Sequence, residues 1–206
     1  MIGIVDYGMG NLRSVEKAFI ACGARARFVQ KNSEFEGLSG LVLPGVGAFG
    51  DCMKNLNQSG MMESLRAWLE SGKPFFGICL GYQALFEGSQ EAPGVKGIGF
   101  LKGEVVRFPE SRLKVPQMGW NQVQVQKTVP VLNGISSGEY FYFVHSFYPK
   151  PLDAGIVAMT TEYGVPFASA VSTGNLFAAQ FHPEKSQQAG LKMIRNFIGS
   201  LERKTL

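Results

Sequence analysis

The sequence predicts an α/β fold: an open, mixed and largely parallel sheet flanked by helices, with antiparallel strands added in its second half. Three observations point there. In the first half, short apolar runs alternate with amphipathic helical stretches, the pattern of parallel strands joined by crossover helices. In the second half the helices give way to successive strand-like runs, some with period-two alternation. No Pro/Ser-rich linker and no repeat interrupts the chain, and 206 residues suit one substantial core. Residues 1–206 are therefore read as one domain.

The elements follow in order. Ile2–Val5 reads as a short apolar strand, and Asp6–Asn11 as a turn. Asn11 is placed as the N-cap of a helix whose Leu12, Val15, Phe19 and Cys22 share a face, closed by Gly23. Strands are expected at 26–29 and 40–43, the latter running into a glycine-rich loop, Pro44 to Gly50. A helix is expected over 61–70, with Leu65, Trp68 and Leu69 inward and Gly72 as its stop. Phe75 to Ile78 reads as a buried strand that breaks at glycines on either side of Cys79, followed by a helical stretch over 82–86. Beyond it, strands are expected at 100–108, 122–126, 140–145, 156–161, 168–172 and 176–181. A last helix, from about 187 to 202, carries Leu191, Ile194, Ile198 and Leu201 on one stripe.

Composition narrows the function classes. Apolar residues make up 45% and charged residues 17%, an ordinary globular balance. The net charge of +4 comes from single, scattered Lys and Arg, neither clustered nor interleaved with aromatics, so nucleic-acid binding is not expected. The start, Met1-Ile2-Gly3-Ile4-Val5-Asp6, lacks the basic and long apolar segments of a signal peptide, and no run reaches membrane-spanning length. Cys22, Cys52 and Cys79 form neither a disulfide framework nor a metal-ligand spacing, which fits a reducing, cytoplasmic setting and gives no sign of a metal.

The chemistry gathers around Cys79. Gly77-Ile78-Cys79-Leu80-Gly81 has the grammar of a nucleophile elbow: strand, sharp turn, helix, with cysteine in the nucleophile's place. The glycines permit strained angles and close packing, and a following helix N-terminus favours a thiolate. A nucleophilic thiol needs a base. The chain has two histidines, His145 and His182, each ending a predicted strand. His182 is favoured because Glu184, two residues on and past Pro183, can reach its second ring nitrogen and set the tautomer. The N–H of Leu80 and the loop from Pro44 to Gly50 are candidate oxyanion donors; that loop lacks the lysine and Ser/Thr of a phosphate-binding P-loop.

Gly77–Gln83 taken together with Phe181-His182-Pro183-Glu184 resembles the class I glutamine amidotransferases. Asp6–Leu12, Leu43–Phe49 and Pro116–Asn121 narrow the likeness to the glutaminase subunits of imidazole glycerol phosphate synthases, over essentially the whole chain. The vitamin B6-type glutaminases would carry a Gly-Gly-Glu-Ser-type loop where this chain has Pro44-Gly45-Val46-Gly47. The resemblance implies a flavodoxin-like sheet and a triad of Cys79, His182 and Glu184. It implies oxyanion contacts from Leu80 and the Val46–Gly47 region, and glutamine contacts from Gln83, Ser146 and Phe147. It places Asn11, Trp120 and Lys185 near a cyclase subunit, the partner in a heterodimer that receives ammonia. It implies no cofactor. One position departs: the family often has histidine where Gln117 stands. That keeps open a paralogous glutaminase serving a cyclase-like partner in surface-polysaccharide biosynthesis. Two other classes stand beside these, a cysteine peptidase or gamma-glutamyl hydrolase, and a non-catalytic module of the same fold.

Overall fold

The computed structural model describes residues 1–202. The chain runs β1 (Ile2–Val5), α1 (Leu12–Ala21), β2 (Ala26–Val29), β3 (Gly40–Gly45), α2 (Phe49–Gln58), α3 (Met62–Glu70), β4 (Phe75–Cys79) and α4 (Leu80–Gln83). It continues through β5 (Gly88–Ser89), β6 (Gly103–Arg107), β7 (Gln117–Gln122), β8 (Gln124–Val125), β9 (Tyr140–His145) and β10 (Phe147–Pro151). It closes with β11 (Val157–Glu162), β12 (Pro166–Thr173), β13 (Leu176–Ala179) and α5 (Gln187–Glu202).

Eight strands form the main sheet in the order β2-β1-β3-β4-β13-β12-β11-β8. The pairs from β2 through β13 are parallel, and β12, β11 and β8 extend the sheet antiparallel. The strand β4 lies between two parallel neighbours and is buried throughout. Alternate residues on it serve opposite faces: Phe75 joins a core with Phe49, Leu56, Leu65 and Trp68, while Phe76 joins Val15, Phe19, Ile194 and Phe197. Burying one such phenylalanine contributes roughly 2–3 kcal/mol. Because β1, β3, β4 and β13 run the same way, the chain segments that follow them emerge at one end of the sheet. Register fixes their alignment, with Gly45 beside Cys79 and Ala179 beside Ile78.

The mixed, largely parallel sheet is as the sequence predicts, while several details differ; the strand expected at 122–126, for one, is divided between the end of β7 and the short β8. The antiparallel strands of the second half do not all join one sheet: β10-β6-β5 and β7-β9 are separate small sheets. The helix α2 was not expected; its Phe49, Cys52, Met53 and Leu56 keep helical spacing and are buried, but Gly50 in its first turn reads as loop. The helix after Cys79 is a single turn, because the returning segment takes its next carbonyls: Ile98, Leu101 and Gly99 donate to Ala84, Leu85 and Phe86. The same diversion of the Leu101 N–H delays the strand expected from 100 until Gly103. Asn11 stands at the N-cap of α1 without a capping side-chain hydrogen bond.

Candidate active site

The strand β4 ends in strain. Cys79 has φ +54° and ψ −108°, a conformation that costs a non-glycine residue about 1–3 kcal/mol. Close packing holds it there. A Cβ on Gly81 would enter the carbonyl of Leu43, and one on Gly77 would lie 3.0 Å from Ala178 Cβ. One on Gly45 would meet Tyr7 Oη at 2.6 Å and Leu80 Cβ at 2.9 Å. The glycines thus let β3 and the elbow touch backbone to backbone. Leu80 opens α4, so its N–H has no intrahelical acceptor.

His182 stands beyond β13, its backbone N–H donated to Tyr142 O at 2.9 Å and its carbonyl accepting Ser186 Oγ at 2.6 Å. Its Nδ1 meets Glu184 Oε1 at 2.8 Å, and both side chains are 2% exposed. Nδ1–H therefore donates to the carboxylate, leaving Nε2 free of any hydrogen bond among the described residues. Burial opposes a charged ring, but the negative charge of a Cys79 thiolate and the Glu184 carboxylate outweigh it and lift the His182 pKa to about 10. The Cys79 sulfur lies 4.0 Å from Val144 O and 3.7 Å from Gln180 Nε2.

A cavity of about 260 Å³ opens onto Cys79 and His182. Val46, Gly47, Leu80, Gln83, Ser146 and Phe147, the residues singled out in the sequence for substrate and oxyanion contacts, all line it. Gly47 has φ +100°, a turn that glycine adopts without strain. Glu91 also lines the cavity and was not singled out. Its Oε2 accepts the Phe49 N–H at 2.8 Å, which ties the carboxylate to the start of α2. No sequence motif marks it, since it is a lone acid in a loop. Gln180, fully buried beside the thiol, is visible in the sequence only as the end of a strand. Its sole signal is parity: residues 180 and 182 fall on one face of an extended chain.

The second histidine has a different office. His145 is buried, and burial brings its pKa down to about 4 although Phe147 O accepts from its Nδ1 at 2.8 Å. A neutral ring that donates from Nδ1 must accept at Nε2. Gln117 Oε1 is placed 2.9 Å from that nitrogen; the neutral ring requires the amide turned about, with Nε2 of Gln117 donating. One end of this amide is buried without a partner in either orientation. Because the unfolded ring protonates near 6.5 and the folded one only near 4, the unfolded chain binds the extra proton between those values. Stability is expected to fall by about 3 kcal/mol as pH drops from 6.5 to 4, the shift being worth ~1.4 kcal/mol per pH unit. Urea midpoints at pH 7 and 4.5 check this, with His145→Phe losing the pH-dependent part.

The three residues assigned to a partner face lie outside the cavity lining. Asn11 and Lys185 are exposed, and α1 packs against the Pro183–Lys185 turn. Trp120 is 45% exposed beside Met118 at 66% and Tyr140 at 54%, an apolar surface on the β7–β9 ribbon. Tyr142 joins the two ends: its ring lies 6.1 Å from that of Trp120 and 5.8 Å below Lys185 Nζ. Among the described residues no group of three His, Cys, Asp or Glu is placed to hold a metal, and no helix is long and apolar enough to cross a membrane.

The sequence profile of the family "Glutamine amidotransferase class-I" matches residues 3–200. "Imidazole glycerol phosphate synthase subunit HisH" of Syntrophotalea carbinolica is 50% identical over 203 residues, spanning 96% of this chain and 98% of that protein. The protein of the same name from Desulfitobacterium hafniense is 50% identical over 197 residues, spanning 96% and 93%. A solved "glutamine amidotransferase" superposes with TM-score 0.76 over 98% of both chains at 23% identity, a likeness of fold. With an elbow cysteine, a carboxylate-held histidine and a shared cavity already in place, the chain belongs to the class-I glutamine amidotransferases, and within them to the family of the HisH subunits.

Proposed function

We propose that the chain hydrolyses glutamine to glutamate and ammonia at Cys79. We further propose that it hands the ammonia to a cyclase subunit that forms imidazole glycerol phosphate and AICAR, as the glutaminase half of a cytoplasmic heterodimer. One observation carries the reading. A single cavity joins Cys79 to a histidine anchored by a buried carboxylate, and the residues assigned to glutamine line the same cavity.

The chemistry follows from the atoms. Cys79 Sγ attacks the side-chain amide carbon of glutamine, and the carbonyl electrons move onto oxygen. The Leu80 N–H and the Val46–Gly47 backbone serve as the oxyanion's donors. His182 Nε2, having taken the proton of the Cys79 thiol as the sulfur attacks, gives it to the amide nitrogen, which leaves as ammonia, and a thioester remains. His182 then takes a proton from water as it attacks the thioester carbon; the carbon–sulfur bond breaks and glutamate departs. Glu184 keeps Nε2 facing the reacting atoms throughout. Glu91 supplies the cavity with a carboxylate for the α-ammonium group, and Gln83 with the Ser146–Phe147 backbone holds the rest of the substrate.

Free ammonia in water is protonated and stops being a nucleophile, so the product must pass directly to its acceptor. The apolar Trp120 face and Lys185, linked through Tyr142, are the surface proposed for the cyclase, with Asn11 at the start of α1 beside them. The second acceptor reading rests on Gln117 alone. Mixing the chain with a histidine-pathway cyclase tests both. Glutamine hydrolysis is expected to rise at least tenfold with the cyclase and its nucleotide substrate. No response to that nucleotide, with a response to another acceptor, would move the chain to the polysaccharide pathway.

A further inference from the structure

We propose that the Gln180 side-chain amide is a hydrogen-bond donor to the Cys79 sulfur, with its polarity set through Gln83 by the carbonyl of Phe147. The inference rests on the reading of Cys79 as the nucleophile.

A glutamine amide beside a sulfur presents either a donor or an acceptor, and the two have opposite effects on a thiolate. The surroundings decide which. The Phe147 carbonyl can only accept. The Gln83 amide atom 2.8 Å from it must therefore be Nε2. The same nitrogen lies 3.0 Å from the Gln180 amide, so its second hydrogen meets Gln180 Oε1. That leaves Gln180 Nε2 facing Cys79 Sγ, at 3.7 Å. Reversing Gln180 would set its nitrogen against the Gln83 nitrogen and its oxygen against the sulfur. Reversing Gln83 would bring two carbonyl oxygens together. Phe147 O also accepts His145 Nδ1–H, so one carbonyl orients both side chains.

Gln180 and Gln83 are buried, so the donor acts with little competition from water. A donor at the sulfur favours the thiolate before attack, and again when sulfur is expelled from the thioester. It also leaves Gln83 Oε1, which has no hydrogen bond among the described residues, as that amide's acceptor on the cavity wall. The ionisable neighbours of the sulfur are His182 beyond β13, with Glu184 behind it, and Tyr7 beyond β1, which is held by Pro44 O and Cys52. Glu91 and His145 line the cavity beside them.

The test is carboxamidomethylation of Cys79 by iodoacetamide between pH 5 and 9, with the Cys79→Ala chain subtracting Cys22 and Cys52. Gln180→Met keeps the bulk and removes the donor; its rate at pH 7 is expected to fall about tenfold, with the deficit closing towards pH 9. Gln180→Glu is expected to fall further. Gln83→Leu touches no sulfur, yet it frees the Gln180 amide to turn, and a loss of about threefold is expected. A structural role alone would lower the melting temperature and leave the pH profile in place. Profiles for Gln180→Met and Gln83→Leu that superimpose on the wild type overturn the proposal. Should Gln180→Met fail to fold, Gln83→Leu decides alone. Glutamine turnover is scored separately: a wild-type chain inert to glutamine with its cyclase would sink the glutaminase reading and leave the alkylation result standing.

Discussion

Replacing Cys79 by alanine is expected to lower glutamine hydrolysis at least ~10⁴-fold while the fold and cyclase binding persist. No other thiol can take its place. Cys52 is buried in α2 against Tyr7 Oη, and burial pushes its pKa up to about 12. Cys22, just past the end of α1, points its thiol at Leu191 O and is not part of the cavity lining, and burial raises its pKa as well. Alanine keeps the Cβ and so keeps the φ +54° strain; what goes is the sulfur with its long contacts to Val144 O and Gln180. Circular dichroism and cyclase titration should match the wild type, while ammonia release in the coupled assay falls to background. Ammonia release at the wild-type rate would remove Cys79 from the reaction.

Gly81→Ala is expected to cost at least about 3 kcal/mol of stability, and most of the activity with it. The new methyl, held rigidly by its own backbone, would sit inside the backbone carbonyl of Leu43 in β3. No rotamer change can relieve it, so β3 and the elbow must part. That separation would also move Gly45 and the Val46–Gly47 turn, the proposed second side of the oxyanion site. Gly8→Ala supplies the contrast. Gly8 has φ +84° and open space around it, so the cost there is backbone strain alone, about 1 kcal/mol. Urea denaturation of the two variants separates steric from conformational cost. A Gly81→Ala chain as stable as Gly8→Ala would mean that β3 and α4 do not pack as tightly as described.

The sequence shows most plainly what is buried on both sides. β1, β3 and β4 are continuous apolar runs, and a run of that kind has few alternatives to a central strand. Cys79 and His182 were legible because each interrupts such a run with reactive chemistry at its end. α2 was not, because Gly50 argues locally for a loop and only the packing of Phe49, Met53 and Leu56 overrules it. The two small sheets depend on pairings between distant segments, such as β10 with β6, which local pattern does not encode. Glu91 and Gln180 were hidden for a related reason. Each acquires its place from a partner far along the chain, Phe49 for one and Cys79 with Gln83 for the other. A lone acid in a loop and an amide at the end of a strand carry no signal of their own.

The mixed-subunit assay has its sharpest form with isotope. Glutamine labelled with ¹⁵N at the side-chain amide is supplied to the chain, the cyclase and its nucleotide, in the presence of excess unlabelled ammonium. If Cys79 releases ammonia into a docked partner, the label is expected in the imidazole ring of the product at close to one equivalent per glutamate formed. The same mixture with Cys79→Ala should give unlabelled product only. A wild-type product that carries the isotope ratio of the bulk ammonium would contradict transfer between the subunits.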